Sequence, residues 1–312
     1  EEEEDEVVPI KELFYTEGPA ALKDARHTIA EYSLRRASKR LLEAQARRDS
    51  PDEDEEAESM ETLAGVARLQ NDCSELGDER PISACAIAPG SRQLATVAWS
   101  GVAKVWNLEN MQKEATILAH SDRITGVAWH PNYGAGVGPG GPCLVTGSAD
   151  ATARLWSLEE GGKLVSTLEG HTDRLARVAF HPSGGFLGTA SYDGTWRLWD
   201  VETGANLLEQ EGHSRAVYGL AFQCDGSLAA SVGLDSHGRV WDLRTGRSIM
   251  VLQGHVKQVL GVDFAPNGYQ LVTGSDDHTC RVWDLRKQQS LYTIPAHSHL
   301  ISQVRVCQTS GS

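Results

Sequence analysis

Tryptophan recurs at nearly fixed intervals along this 312-residue chain. Trp-Asp-like pairs stand at Trp106-Asn107, Trp156-Ser157, Trp199-Asp200, Trp241-Asp242 and Trp283-Asp284, at spacings of 50, 43, 42 and 42. A second series runs in phase: Ala119-His120, Gly170-His171, Gly212-His213, Gly254-His255 and Ala296-His297, at 51, 42, 42 and 42. A period of this length marks one supersecondary unit that cannot bury its apolar face alone and must stack on its neighbours. Within each unit, short alternating runs such as LVTGS and TARLW read as half-buried strands, and HPSGG and APNGY read as turns. The expected class is all-β, built from four-stranded blades. Composition bears on one point: eight Trp among 20 aromatic residues require a position that specifically asks for an indole.

These pairs resemble the WD40 family, and the resemblance implies a β-propeller. In that family a buried tetrad joins a His before strand a, a Ser or Thr in strand b, an Asp in the b–c turn and a Trp in strand c. The matching residues are His120, Thr146, Asp150 and Trp156; His171, Thr189, Asp193 and Trp199; His213, Ser231, Asp235 and Trp241; and His255, Thr273, Asp277 and Trp283. Such a set has a physical reason, because buried polar turn atoms left unpaired cost about 1–3 kcal/mol each. A hydroxyl, a His and an Asp are also the parts of a hydrolytic triad. Four copies at a fixed period, each with a Trp donor, are architecture, and no catalytic residue is assigned. His130 and His181 read as turn residues and not as metal ligands; no metal or cofactor is expected.

The departures from the repeat carry the individuality of the chain. The first blade keeps Thr96 and Trp106 but has Asp78 at the histidine register and Ser100 at the aspartate register, which breaks its tetrad. The second carries a Gly/Pro-rich insertion, NYGAGVGPGGPC, expected to be a flexible loop. After His297 only LISQVRV reads as a further strand a. Five blades and one strand are expected, short by two of the seven that WD40 rings most often have.

Net charge is −14, and residues 1–80 account for most of it, with 23 acidic and 11 basic side chains. This segment reads as an extension, with residues 81–312 as the propeller. Its runs EEEEDE and SPDEDEEAESME are expected to be disordered. Between them a helix is predicted from Pro19, with Leu22, Ala25, Ile29 and Tyr32 on one stripe, then Leu34, Ala37 and Leu41. Arg35, Arg36, Lys39, Arg40 and Arg47 make it basic and suggest either a solvated face or a contact for RNA phosphates or a partner. A second helix is predicted from Ser59 to Leu76, its apolar stripe packing on the first blade.

Six cysteines without a C-x-x-C pair read as reduced thiols, and no apolar run approaches a membrane span. A partner is expected on the rim where b–c turns and d–a loops emerge. The residues placed there are Trp99, Tyr192, Leu234 and Asp276 from the turns, and Arg174, Arg177, Arg215 and Lys257 from the loops.

Outside the consensus, the wording YTEGPAALKDARHTIAEYSLRRASKRL, LGDERPIS, LATVAWSGVAKVW and VWDLRKQQSLYTIPAH closely resembles the WD-repeat subunits of the spliceosomal U4/U6 small nuclear ribonucleoprotein (snRNP). That resemblance implies a nuclear, non-enzymatic scaffold for pre-mRNA splicing. Its partners would be U4/U6 snRNP proteins, U4 and U6 small nuclear RNA, and components of the tri-snRNP. The cyclophilin-binding motif of these subunits has no clear match here, so cyclophilin is not carried over as a partner. A ubiquitin-ligase substrate receptor or a cytoplasmic signalling scaffold is the alternative; either would need an adaptor-binding helical module before the propeller.

Overall fold

The computed structural model describes residues 18–49, 55–71, 73–90, 92–134 and 140–306. Twenty strands form five four-stranded antiparallel sheets, each built from consecutive strands a to d in spatial order. The blades span residues 82–118, 124–168, 175–210, 217–252 and 259–295. They stack side by side into five blades of a propeller that does not close into a ring. A register shift at the start of strand a recurs in every blade, bending the innermost strand as it leaves the d–a loop.

The inner faces meet through interleaved aliphatic and indole side chains. Strand b is buried along its length in blades two and three, where LVTGS and FLGTAS alternate small and large residues. Small residues are required because neighbouring blades approach closely. A Cβ on Gly147 would lie 2.7 Å from Val178, and one on Gly188 would lie 2.5 Å from Leu220. Trp199 packs with Leu175, Leu187 and Val201, whereas Trp241 and Trp283 belong to the two clusters further along the stack.

A second link joins successive blades on the side of the a–b turns. His130 Nε2 donates to Gly184 O at 3.1 Å and His181 Nε2 donates to Gly226 O at 2.8 Å. In the fourth blade Gln223 takes the same position and its amide donates to Gly268 O. Blades one and five have Ala88 and Ala265 there, which have no side-chain donor. The sequence reading of His130 and His181 as turn residues thus understates them, since each clasps its turn to the next blade.

Residues 301–306 lie where strand a of a further repeat would stand. Gly261 and Gly274 of blade five approach Gln303, Val304 and Ile301 closely, and Val306 N–H donates to Asp263 at 2.8 Å. The segment pairs with no strand, so the expected extra strand is in place but not part of a sheet. Of the Gly/Pro-rich insertion, residues 135–139 lie outside the described residues, as do the run EEEEDE and residues 307–312.

The first helix, α1 (Ala20–Asp49), begins one residue after Pro19. Leu22, Ala25 and Ile29 are buried in one cluster with Phe186, Leu207, Leu208 and Leu243 of blades three and four. The predicted continuation through Leu34 and Leu41 is not buried; both are 60% exposed. The second helix, α2 (Glu55–Ala67), begins four residues before the expected Ser59, so that residues 55–61 of the acidic run expected to be disordered are helical, and it stops nine residues before the expected Leu76. Nor does its stripe pack on blade one: Met60 is 71% and Leu63 68% exposed. The broken tetrad of blade one is closed by its own polar groups, with Ser100 on Asp78 and Lys104 on Gly77 O, and Ile82, Ile87 and Leu118 of that blade stay exposed.

Burial pushes the His181 pKa down to about 4 and lowers those of His130, His120 and His255 below the ordinary 6.5. These rings are held neutral in the fold and take up protons more readily in the unfolded chain. Stability is therefore full above about pH 6.5 and falls as pH drops toward 4. The urea midpoint should be flat from pH 8 to 7 and decline between 6.5 and 4. His181→Gln, which copies the blade-four clasp, should make that decline shallower; an unchanged pH profile would remove His181 from the account.

Candidate functional site

The four tetrads are closed hydrogen-bonded chains. In blade three Trp199 Nε1 donates to Thr189 Oγ1 at 2.9 Å, His171 Nε2 lies 2.7 Å from the same hydroxyl, and His171 Nδ1 lies 2.7 Å from Asp193. Blades two, four and five repeat this, with Trp156 and His120 on Thr146, Trp241 and His213 on Ser231, and Trp283 and His255 on Thr273, at 2.8–2.9 Å. Asp150, Asp235 and Asp277 complete them at 2.8, 2.9 and 2.9 Å. One tautomer satisfies every link: Trp N–H to hydroxyl, hydroxyl to Nε2, and Nδ1–H to carboxylate.

The connectivity Asp–His–hydroxyl is that of a triad, but Thr146, Thr189 and Ser231 are wholly buried and capped by an indole. These hydroxyls have no approach for a substrate. Burial opposes ionisation of Asp193 and Asp277, yet their His and Thr hydrogen bonds outweigh it and lower both pKa values. In the fourth blade His237 stands where Thr152, Thr195 and Thr279 donate to the turn aspartate. Its ring nitrogen instead meets the Asp235 carbonyl at 2.6 Å. In blade one Trp106 still donates to Thr96 at 2.8 Å, while Ser100 donates to Asp78 at 2.6 Å, a pair of reversed polarity.

The rim residues divide into two groups. Trp99, Arg174, Arg177 and Tyr192 gather around one cavity of about 330 Å³ at the b–c end of blades one to four, together with Arg123 and Tyr218. Arg174 stacks on Tyr192 at 3.8 Å, Arg177 lies 5.9 Å from Tyr218, and Arg123 lies 5.7 Å from Trp99. The two tyrosine rings meet edge to face at 6.2 Å. Arg215, Leu234, Lys257 and Asp276 are not part of this cavity. Lys257 and Asp276 face one another at 3.8 Å, which cancels their charge. The backbone brings turn and loop together in each case, with Trp99 N–H on Pro81 O and Tyr192 N–H on Arg174 O, both at 3.0 Å.

The basic helix lies on the opposite side, against the a–b turns. Tyr32 donates to Pro182 O at 2.9 Å, Arg36 to Cys224 O at 3.1 Å, and Arg40 to Asp225 at 2.6 and 2.9 Å and to Asn267 O at 2.7 Å. The sequence expectation of one basic contact face is thereby corrected. Arg36 and Arg40 hold the helix to its own propeller; Arg35 and Lys39 are exposed, and the Arg47 side chain lies outside the described residues. The reason is register, since positions 22, 25, 29, 32, 36 and 40 form one stripe that changes from apolar to basic where the helix passes over polar turns.

Comparison with known proteins gives the repeat its family. The WD domain, G-beta repeat pattern matches residues 72–107, 111–157, 162–200, 204–242 and 246–284. The chain belongs to this family. Among curated relatives, a U4/U6 small nuclear ribonucleoprotein PRP4-like protein of Arabidopsis thaliana is 53% identical over 54% of this chain and 29% of its own length. The human U4/U6 small nuclear ribonucleoprotein Prp4 is 47% identical over 39% of the chain and 23% of its own length. The Saccharomyces cerevisiae U4/U6 small nuclear ribonucleoprotein PRP4 is 38% identical over 55% and 37%. The chain spans between about a quarter and somewhat over a third of these relatives.

The WD repeat contains one further element that the sequence reading passed over. A cation stands two residues before every repeat Trp: Lys104, Arg154, Arg197, Arg239 and Arg281. Lys104 and Arg154 donate to Gly77 O and Ala119 O, each at 2.6 Å, tying strand c to the d–a loop. Its signal was the repeat itself, written KVW, RLW, RLW, RVW and RVW. The same loop explains the glycines of the Gly-His pairs, where Gly170 and Gly254 have φ of 153° and 145°, which L side chains rarely adopt, and a Cβ would press on the Arg197 and Arg281 guanidinium groups.

Two substitutions separate these roles. Ser231→Ala strips Trp241 and His213 of their shared partner and should cost about 1–3 kcal/mol in urea denaturation. Arg40→Ala leaves the buried Asp225 carboxylate unpaired and should lower the melting temperature, whereas Arg35→Ala, on the exposed face, should leave it within a degree or two. Equal effects of Arg40→Ala and Arg35→Ala would contradict the placement of the helix.

Proposed function

We propose that this chain is a non-catalytic WD-repeat subunit of a U4/U6 small nuclear ribonucleoprotein, working in the nucleus as a scaffold in pre-mRNA splicing and tri-snRNP assembly. The observation that carries this reading is the similarity to proteins named for that particle in a plant, an animal and a yeast. The fold supports it in kind: the tetrad hydroxyls are sealed, and the accessible chemistry is a basic and aromatic cavity suited to recognition. Its partners are snRNP proteins and, directly or through them, U4 and U6 RNA. The helix before the propeller is occupied by blades three to five, which disfavours a ubiquitin-ligase receptor built around a free adaptor-binding module.

The test is immunoprecipitation of the tagged chain from nuclear extract, with sequencing of bound RNA and mass spectrometry of bound protein. U4 and U6 RNA and their proteins should be enriched together. Their absence from a folded, nuclear chain would sink the assignment.

A further inference from the structure

The cavity on the b–c end holds positive charge that nothing around it answers. Among the described residues, Arg123, Arg174 and Arg177 have no ion pair with a carboxylate and no side-chain hydrogen bond; their near contacts are aromatic rings. No carboxylate or carboxamide lines the cavity. Its two aliphatic hydroxyls are already used, with Ser83 donating to Val97 O or Ile124 O and Thr125 donating to Gly147 O. The other donors are the Tyr192 and Tyr218 hydroxyls, the Trp99 indole N–H and the guanidinium groups, and of these only the guanidinium groups are cationic. Arg177 is half-buried, and desolvation disfavours its charge. A half-buried, unanswered cation is a standing cost unless a ligand anion completes it.

The second feature is a free indole. Trp99 is 47% exposed, an unusual position for the largest apolar side chain, with the Arg123 guanidinium 5.7 Å from its ring. A carboxylate would satisfy the arginines and leave that surface in water. A nucleotide would use both, its base on the indole and its phosphate on the guanidinium groups. At about 330 Å³ the cavity is at the small end of ligand sites, enough for one nucleotide and too small for a duplex.

Resting on the snRNP reading above, we propose that this cavity takes one unpaired nucleotide of a single-stranded RNA, with Trp99 as the stacking surface and Arg123 and Arg177 as the phosphate contacts. The RNA-facing side is then the b–c rim and not the basic helix, whose Arg36 and Arg40 are held by the opposite face.

The test uses the purified full chain and a fluorescein-labelled eight-nucleotide single-stranded oligouridine, read by anisotropy across a salt series. The same length of RNA duplex and an acidic phosphoserine peptide are the competing probes. Trp99→Ala and Arg177→Met should each weaken single-strand binding about tenfold. Arg177→Met should also shallow the salt dependence by about one phosphate contact, and its melting temperature should hold or rise because an unanswered charge is removed. Reversing Arg35 and Lys39 to Glu should change affinity less than about twofold, since they lie on the other side. Single-strand binding that both cavity variants leave intact would overturn the proposal. So would a phosphopeptide that binds the cavity in place of RNA. If the tagged chain enriches snRNP proteins while the purified chain ignores single-stranded RNA, the nucleotide assignment falls and the subunit reading stands. The reverse result would keep the cavity assignment and remove the subunit reading.

Discussion

One hydroxyl per blade holds the architecture together. In each complete blade the Thr or Ser of strand b accepts from the indole of strand c and donates to the imidazole of the preceding loop, which in turn holds the turn aspartate. Three segments distant in sequence converge on an oxygen that water cannot reach. The tetrad therefore fixes where strand a begins and where the b–c turn points. Every rim residue inherits its position from that arrangement, Tyr192 standing directly before Asp193 and Arg174 three residues after His171.

The two faces of the blade stack have been put to different uses. On the a–b side, imidazole and carboxamide clasps join blade to blade, and α1 crosses the turns of blades three, four and five with its apolar and basic stripe. Its charges are answered there by Asp225 and by backbone carbonyls. On the b–c side, three arginines are left facing tyrosines and a tryptophan. Charge that is satisfied stabilises a fold; charge that is left unanswered in a cavity is available for a ligand.

The blades were legible in the sequence because a strict period reports a strict geometry, and the four His–Thr/Ser–Asp–Trp sets could be assigned once the resemblance to the WD40 family supplied the pattern to match. What could not be counted was which side of a helix meets the protein. Arginine is common on solvated helices, so Arg36 and Arg40 read as surface, although they continue the stripe begun by Leu22 and Ile29. The rim was half-legible. Trp99, Arg174, Arg177 and Tyr192 could be placed by register, but their meeting with Arg123 and Tyr218 depends on the angle between blades, which no single repeat encodes. Asp276 occupies the register of Tyr192, but it and Lys257 neutralise one another, a pairing that only distance reveals. The exposed stripe of α2 shows the opposite limit, since helical spacing predicts an apolar face but not the surface that receives it.

The contact of Arg40 with the Asn267 carbonyl spans 227 residues. A helix that precedes all five blades has no complete seat until the turn of the fifth blade exists, and it must wait through the synthesis of everything between. Leu22, Ala25 and Ile29 have their cover once blades three and four exist, and the Arg40 contact follows. Docking of α1 is thus a register of assembly: by bridging three blades at once it requires the a–b turns of blades three, four and five to stand in place together.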